Sequence, residues 1–198
     1  MIGSSSSEQQ ENHGESLCIA LMREDWTTVL QIFENQPQIQ DRKMGDMMKA
    51  TNEIRGSRHD DESWSDTALH WAIANGAPED EVVEKLVSEI EKTGKALETL
   101  KAKNSRGDTP LHCAASRGSD TICRRITRVH ESLVCERNNE EETPLFLAAL
   151  NGHQSAFDHL HSICLKVELS LPPEIWTRKN GDTILHCTIR RKHFGQHI

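Results

Sequence analysis

Four stretches decide how this chain folds: Asp66-Thr-Ala-Leu-His-Trp-Ala-Ile-Ala-Asn-Gly76, Asp108-Thr-Pro-Leu-His-Cys-Ala-Ala-Ser-Arg-Gly118, Glu142-Thr-Pro-Leu-Phe-Leu-Ala-Ala-Leu-Asn-Gly152 and Asp182-Thr-Ile-Leu-His-Cys-Thr-Ile-Arg-Arg-Lys192. They superimpose without a gap, and Thr67, Thr109, Thr143 and Thr183 fall 42, 34 and 40 residues apart. Each position has a mechanical reason. The four threonines stand where a helix starts, and their hydroxyls can satisfy amide hydrogens left over in its first turn. Pro110 and Pro144 fit that turn, where a missing N–H costs nothing. Ala72, Ala114, Ala115, Ala148 and Ala149 let neighbouring units approach closely, and Gly76, Gly118 and Gly152 end the helix in the left-handed conformation.

A second helix follows each of the first three copies. Its stripe is Val82, Val83, Leu86, Val87 and Ile90 after the first, Ile122, Ile126, Val129 and Leu133 after the second, and Ala156, Phe157, Leu160 and Ile163 after the third. Spacings of three and four make one apolar stripe per helix. A period near 33 with a T-P-L-H-x-A signature marks ankyrin repeats, which the motif resembles, with insertions after the first and third copies. The expected fold is therefore all-α, an ankyrin-repeat α-solenoid of helix-turn-helix units linked by hairpin loops.

Upstream, Leu17-Cys-Ile-Ala20 and the stripe Trp26, Val29, Leu30, Phe33 form a divergent copy without the Thr-Pro start. Terminal repeats are often atypical because one side faces water. The expected organisation is a disordered tail over 1–14, a degenerate first repeat over 15–35, a polar connector over 36–65, and repeats over 66–198 with the last incomplete. In that last copy Thr188 replaces the packing alanine and Lys192 the helix-ending glycine.

The chain has 198 residues, with 23 Lys and Arg against 31 Asp and Glu, a formal charge of −8. A phosphate-tracking surface needs a basic domain, so no nucleic-acid partner is expected. The run from Leu145 to Leu150 is far short of the ~18 apolar residues of a membrane span, and Met1 to Gly14 lacks the apolar core of a secretory signal. Direct membrane insertion by this chain is thus not expected. Cys18, Cys113, Cys123, Cys135, Cys164 and Cys187 contain no C-x-x-C pair, which points to a reducing, cytoplasmic setting rather than a zinc ribbon or disulfide frame.

With Arg23-Glu-Asp-Trp26-Thr-Thr-Val29, Ser65-Asp-Thr-Ala-Leu-His70, Arg137-Asn-Asn-Glu-Glu-Glu-Thr-Pro-Leu-Phe-Leu-Ala-Ala149 and Asn180-Gly-Asp-Thr-Ile-Leu-His-Cys187, the chain resembles the ankyrin domain of plant proteins of the accelerated-cell-death-like family. Longer members carry a C-terminal PGG domain with membrane helices. The resemblance spans roughly Glu15 to Phe194 and implies a role in stress or defence signalling. It also implies that longer relatives are membrane-associated, with this domain on the cytosolic side. The chain stops four residues after Phe194, before a second helix of the fourth copy, and reads as a truncated ankyrin portion.

His70, His112 and His186 recur at one motif position, yet Phe146 fills it in the third copy, so packing and a hydrogen bond to Thr explain them better than imidazole chemistry. Thr67, His70, Thr109, Pro110, His112, Thr143, Pro144, Thr183 and His186 are read as structural motif residues. The cluster His153, His159, His161 and Cys164 has no recognised zinc spacing. No nucleotide or hydrolase motif occurs, so neither catalysis nor a cofactor or metal is expected. What remains is binding of another protein, by a chain expected to be a monomer, through hairpin tips and first-helix ends. Those residues are Arg106, Asp108, Ser116, Arg117, Glu140, Glu142, Leu150, Asn151, Arg190 and Arg191. The alternative is a non-binding truncated remnant of a membrane-anchored signalling protein.

Overall fold

A computed structural model describes residues 14, 16–40, 42–43, 66–75, 80–167, 176–187 and 189. Gly76, most of the tail expected at 1–14, residues 44–65 of the connector, the insertion at 168–175, Thr188 and Arg190 to Lys192 lie outside the described residues. The fold is all-α. Among the described residues β pairing is confined to two isolated bridges, Lys43 with Thr67 and Thr177 with Thr183. The chain divides into two compact units, one up to Ser105 and one from Arg106.

In the first unit, α1 (residues 16–22) buries Leu17, Cys18, Ala20 and Leu21. Next comes α2 (Trp26–Asn35), whose Asp25 cap accepts from the Thr28 amide at 3.2 Å and the Thr28 hydroxyl at 2.6 Å. Its stripe Trp26, Val29 and Phe33 is buried, while Leu30 is only half-buried. A 3-10 turn at Pro37–Ile39 extends this packing into the polar stretch. Ile39 is fully buried there, and Gln40 donates through Nε2 to the Phe33 carbonyl at 3.0 Å.

The first full copy gives α3 (Ala68–Ala74) and α4 (Asp80–Lys92), which pack on each other, while α2 packs on α4. The divergent copy therefore lies directly against the next one. The Lys43–Thr67 bridge pairs a helix-capping threonine as Thr177 pairs with Thr183. Lys43 thus stands at a hairpin position opposite Thr67. Where the repeat period lengthens to 42, the added residues form a further helical turn, α5 (Ala96–Leu100), which packs on α4 and buries Leu100.

In the second unit, α6 (Pro110–Arg117) starts after Thr109 and ends at Gly118, whose φ of +78° is the left-handed value that glycine tolerates. A Cβ at Gly118 would also collide with the His153 ring, so the position admits no side chain on two separate grounds. α7 (Asp120–Val129) is capped by Ser119, which accepts from the Ile122 amide at 3.3 Å. The periodic stripe ran on to Leu133, but the helix stops at the extended His130, and Leu133 reaches the core from a 3-10 turn, Glu131–Cys135. Ile126, Thr127 and Val129 are β-branched and weaken that helix end. α8 (Pro144–Asn151) and α9 (Gln154–Val167) repeat the pattern, with Gly152 at φ +75°. α8 packs on α6, and α9 packs on α8, α7 and the 3-10 turn. Leu111, Ile126, Leu133, Leu145, Phe146 and Leu160 are fully buried, each worth ~1.5–3 kcal/mol of apolar transfer.

Candidate functional site

The motif histidines serve the scaffold. Thr109 donates its amide to His112 Nδ1 at 3.2 Å, and its hydroxyl lies 2.8 Å from the same atom. On the other side of the ring, His112 Nε2 lies 3.0 Å from the Glu142 carbonyl. A carbonyl only accepts, so the ring is the neutral tautomer with its proton on Nε2. His112, fully buried, thereby ties the start of its own helix to the hairpin of the next copy. His70 meets Thr67, and His186 meets Thr183, with the same local geometry. In the third copy, where Phe146 replaces His, Thr143 simply accepts the Phe146 amide at 3.2 Å. Pro110 and Pro144 each occupy the first turn of their helix.

Two residues that the sequence suggested for hairpin-tip binding have another role. Asp108 and Glu142 are 5% and 6% exposed. Asn138 Nδ2 donates to Asp108 Oδ1 at 2.8 Å and to Glu142 Oε2 at 3.2 Å. Asn104 donates in the same way to Asp66 at 2.9 Å. In the fourth hairpin Arg178 stands at the equivalent position, 2.8 Å from Asp182 and 3.6 Å from Glu142. Its bond to Asp182 holds the guanidinium charged even more firmly than usual. The acids before the first three threonines are therefore each held by the opening residue of the next hairpin. A buried carboxylate left without such partners would cost several kcal/mol, which explains why these acids cannot serve as an open surface.

Successive hairpins are also joined through the backbone, the Asn139 amide donating to the Arg106 carbonyl at 3.0 Å and the Lys179 amide to the Glu140 carbonyl at 2.8 Å. This leaves the side chains of Arg106 and Glu140 exposed at the tips. At the helix ends, Arg117 is exposed while Ser116, Leu150 and Asn151 are half-buried. Asn151 Nδ2 donates to Ser116 Oγ at 3.2 Å and to the Leu147 carbonyl at 2.9 Å, holding the ends of α6 and α8 side by side. Arg190 and Arg191 lie outside the described residues.

The His153 to Cys164 cluster is dispersed. His153 Nε2 lies 2.9 Å from the Ser116 carbonyl at the end of α6. His159 reaches Thr127 on α7, His161 stacks on Phe157 and meets the edge of Trp176, and Cys164 is buried. Among the described residues no group of three or more His, Cys, Asp or Glu side chains is gathered to hold a metal ion. Nor is any described helix long and apolar enough to cross a membrane.

Capped helix pairs, left-handed glycine ends and clamped hairpins define a repeat protein. The family model for ankyrin repeats (3 copies) matches residues 17–131 and 78–168, and the chain belongs to that family. The match begins inside the divergent first copy. A search of curated proteins finds no match. Ankyrin repeats in general mediate protein–protein interaction and are typically non-catalytic.

Proposed function

We propose that this chain binds a partner protein through the paired ends of α6 and α8, with Arg117 and Leu150 at the centre, Ser116 and Asn151 beside them, and Arg106 and Glu140 at the rim. The observation that carries this reading is the Asn151–Ser116 bond. It fixes two helix ends next to each other while the motif side chains around them are buried in the scaffold. An apolar residue ringed by polar and charged ones is the layout of an interaction patch. The chain acts as a cytoplasmic monomer without a cofactor. Its pattern in Arg23 to Val29 and Arg137 to Ala149 supports a place among the plant stress and defence ankyrin proteins.

A pull-down from plant tissue with the full chain tests this. Arg117→Glu with Leu150→Arg abolishes capture of the partner while the urea midpoint hardly moves. Charge reversal at the exposed Arg128 of α7 leaves capture intact. The reverse pattern overturns the proposal.

A further inference from the structure

One imidazole joins the two outer helices of the second unit. His159 on α9 has Nε2 2.9 Å from Thr127 Oγ1 and Nδ1 3.3 Å from Arg124 Nη1, both on α7. A guanidinium only donates. Nδ1 must therefore accept, and the single ring proton sits on Nε2, donated to Thr127. The Thr127 hydroxyl in turn donates to the Cys123 carbonyl at 2.8 Å, and Arg124 Nε donates to Asp120 Oδ2 at 2.8 Å. Each donor in this chain has an acceptor only while the ring is neutral.

We propose that His159 is an acid-released latch between α7 and α9. Protonation places an N–H on Nδ1 against the Arg124 N–H, so the Arg124 contact gives way to like-charge repulsion across the two helices, and the Nε2 bond to Thr127 is the one tie the ring keeps between them. The cations around the ring act in the same direction, and Asp120 opposes them. α7 contributes Arg124 and Arg128 against the single carboxylate Asp120, and α9 itself adds Lys166, with Asp158 and His161 as neighbours in sequence. The 3-10 turn packed on α9 carries Glu131 and Cys135, and α8 carries no titratable side chain. Burial, then Arg124, holds the His159 ring below the ordinary histidine value.

The unfolded chain takes up this proton near pH ~6.5, the folded chain only at lower pH. Between those two values the unfolded state binds more protons, so stability rises with pH across the window. The contribution is complete above about pH 6.5 and disappears as the pH falls through the folded value.

The test combines an NMR titration of the histidine rings in the intact chain with urea unfolding at about pH 7.5 and about pH 5.5 of the natural chain and of His159→Gln. A glutamine can accept from Arg124 and donate to Thr127 but does not titrate. The expected result is a His159 midpoint below the ordinary value, with α9 amides losing exchange protection at that same midpoint. On acidification the unfolding constant of the natural chain rises more than that of His159→Gln, by up to about tenfold per unit separating the folded and unfolded values. A midpoint at or above the ordinary value overturns the latch, as does equal acid sensitivity of the two proteins. If the variant does not fold, the titration and the α9 exchange in the natural chain decide.

Discussion

The second and fourth repeats carry the same local device in different surroundings. Thr109 with His112 and Thr183 with His186 show the same cap, with Thr Oγ1 to His Nδ1 distances of 2.8 and 2.9 Å. Yet His112 is fully buried and His186 is exposed. In the second repeat α8 packs across α6, and the next hairpin supplies the Glu142 carbonyl to His112. Among the described residues, the helical segment at 184–187 shows no such cover: Leu185 is 66% exposed, where its counterpart Leu111 is fully buried. The motif thus encodes a helix start, while burial and the bond to the next unit come from the neighbour. Repeat stability is a sum of unit and neighbour terms, and these two copies separate the terms.

The largest effect should come from truncating the shared leucine. Leu111→Ala removes a side chain from a packed interior and should cost about 2–5 kcal/mol. Leu185→Ala should stay within about 0.5 kcal/mol. Urea unfolding of both variants checks the contrast, and similar losses would break it. Smaller but in the same sense, His112→Ala strands the Thr109 and Glu142 groups and should cost on the order of 1–3 kcal/mol. His186→Ala, at the exposed cap, should cost no more than about 0.5 kcal/mol. Equal shifts in the unfolding midpoint would mean that the cap alone, not the link to the next repeat, holds the second copy.

The smallest effect sharpens the comparison at the hairpins. Gly107, Glu141 and Gly181 occupy equivalent positions with φ of +75°, +60° and +79°. Among the described hairpins, only the one before Thr143 places a side chain in that left-handed turn, which costs a non-glycine residue ~1–2 kcal/mol. Part of this is offset because glycine loses more freedom on folding. Glu141→Gly should therefore stabilise the chain by up to about 1 kcal/mol. An unchanged or lower thermal midpoint would contradict that strain.

What is legible in the sequence is what neighbouring residues decide among themselves. The threonine caps, the prolines in the first turn, the glycine ends at Gly118 and Gly152, and the stripes of α4 and α9 all follow from spacings within one copy. The acids before each threonine are equally visible, but their fate is not. Asp108 and Glu142 resemble solvent-facing tip charges until Asn138, across the hairpin, is seen to clamp both. Asn104 and Asn138, 34 residues apart, carry that signal in the sequence, but Arg178 at the same place hides it. The stop of α7 at His130 and the pairing of Lys43 with Thr67 also escape a periodic reading. Both depend on partners that the period does not name. In the binding patch, Leu150 and Arg117 are legible as helix-end positions, whereas the Asn151–Ser116 bond that sets them side by side is a contact between copies.

Native-state hydrogen exchange of the intact chain compares the two copies under one set of conditions. Amides of α6 and α8 should exchange near the global unfolding limit, while those of residues 185–187 should open locally and exchange much faster. Equal protection of the two segments would show that the motif, without a covering neighbour, suffices to hold a repeat.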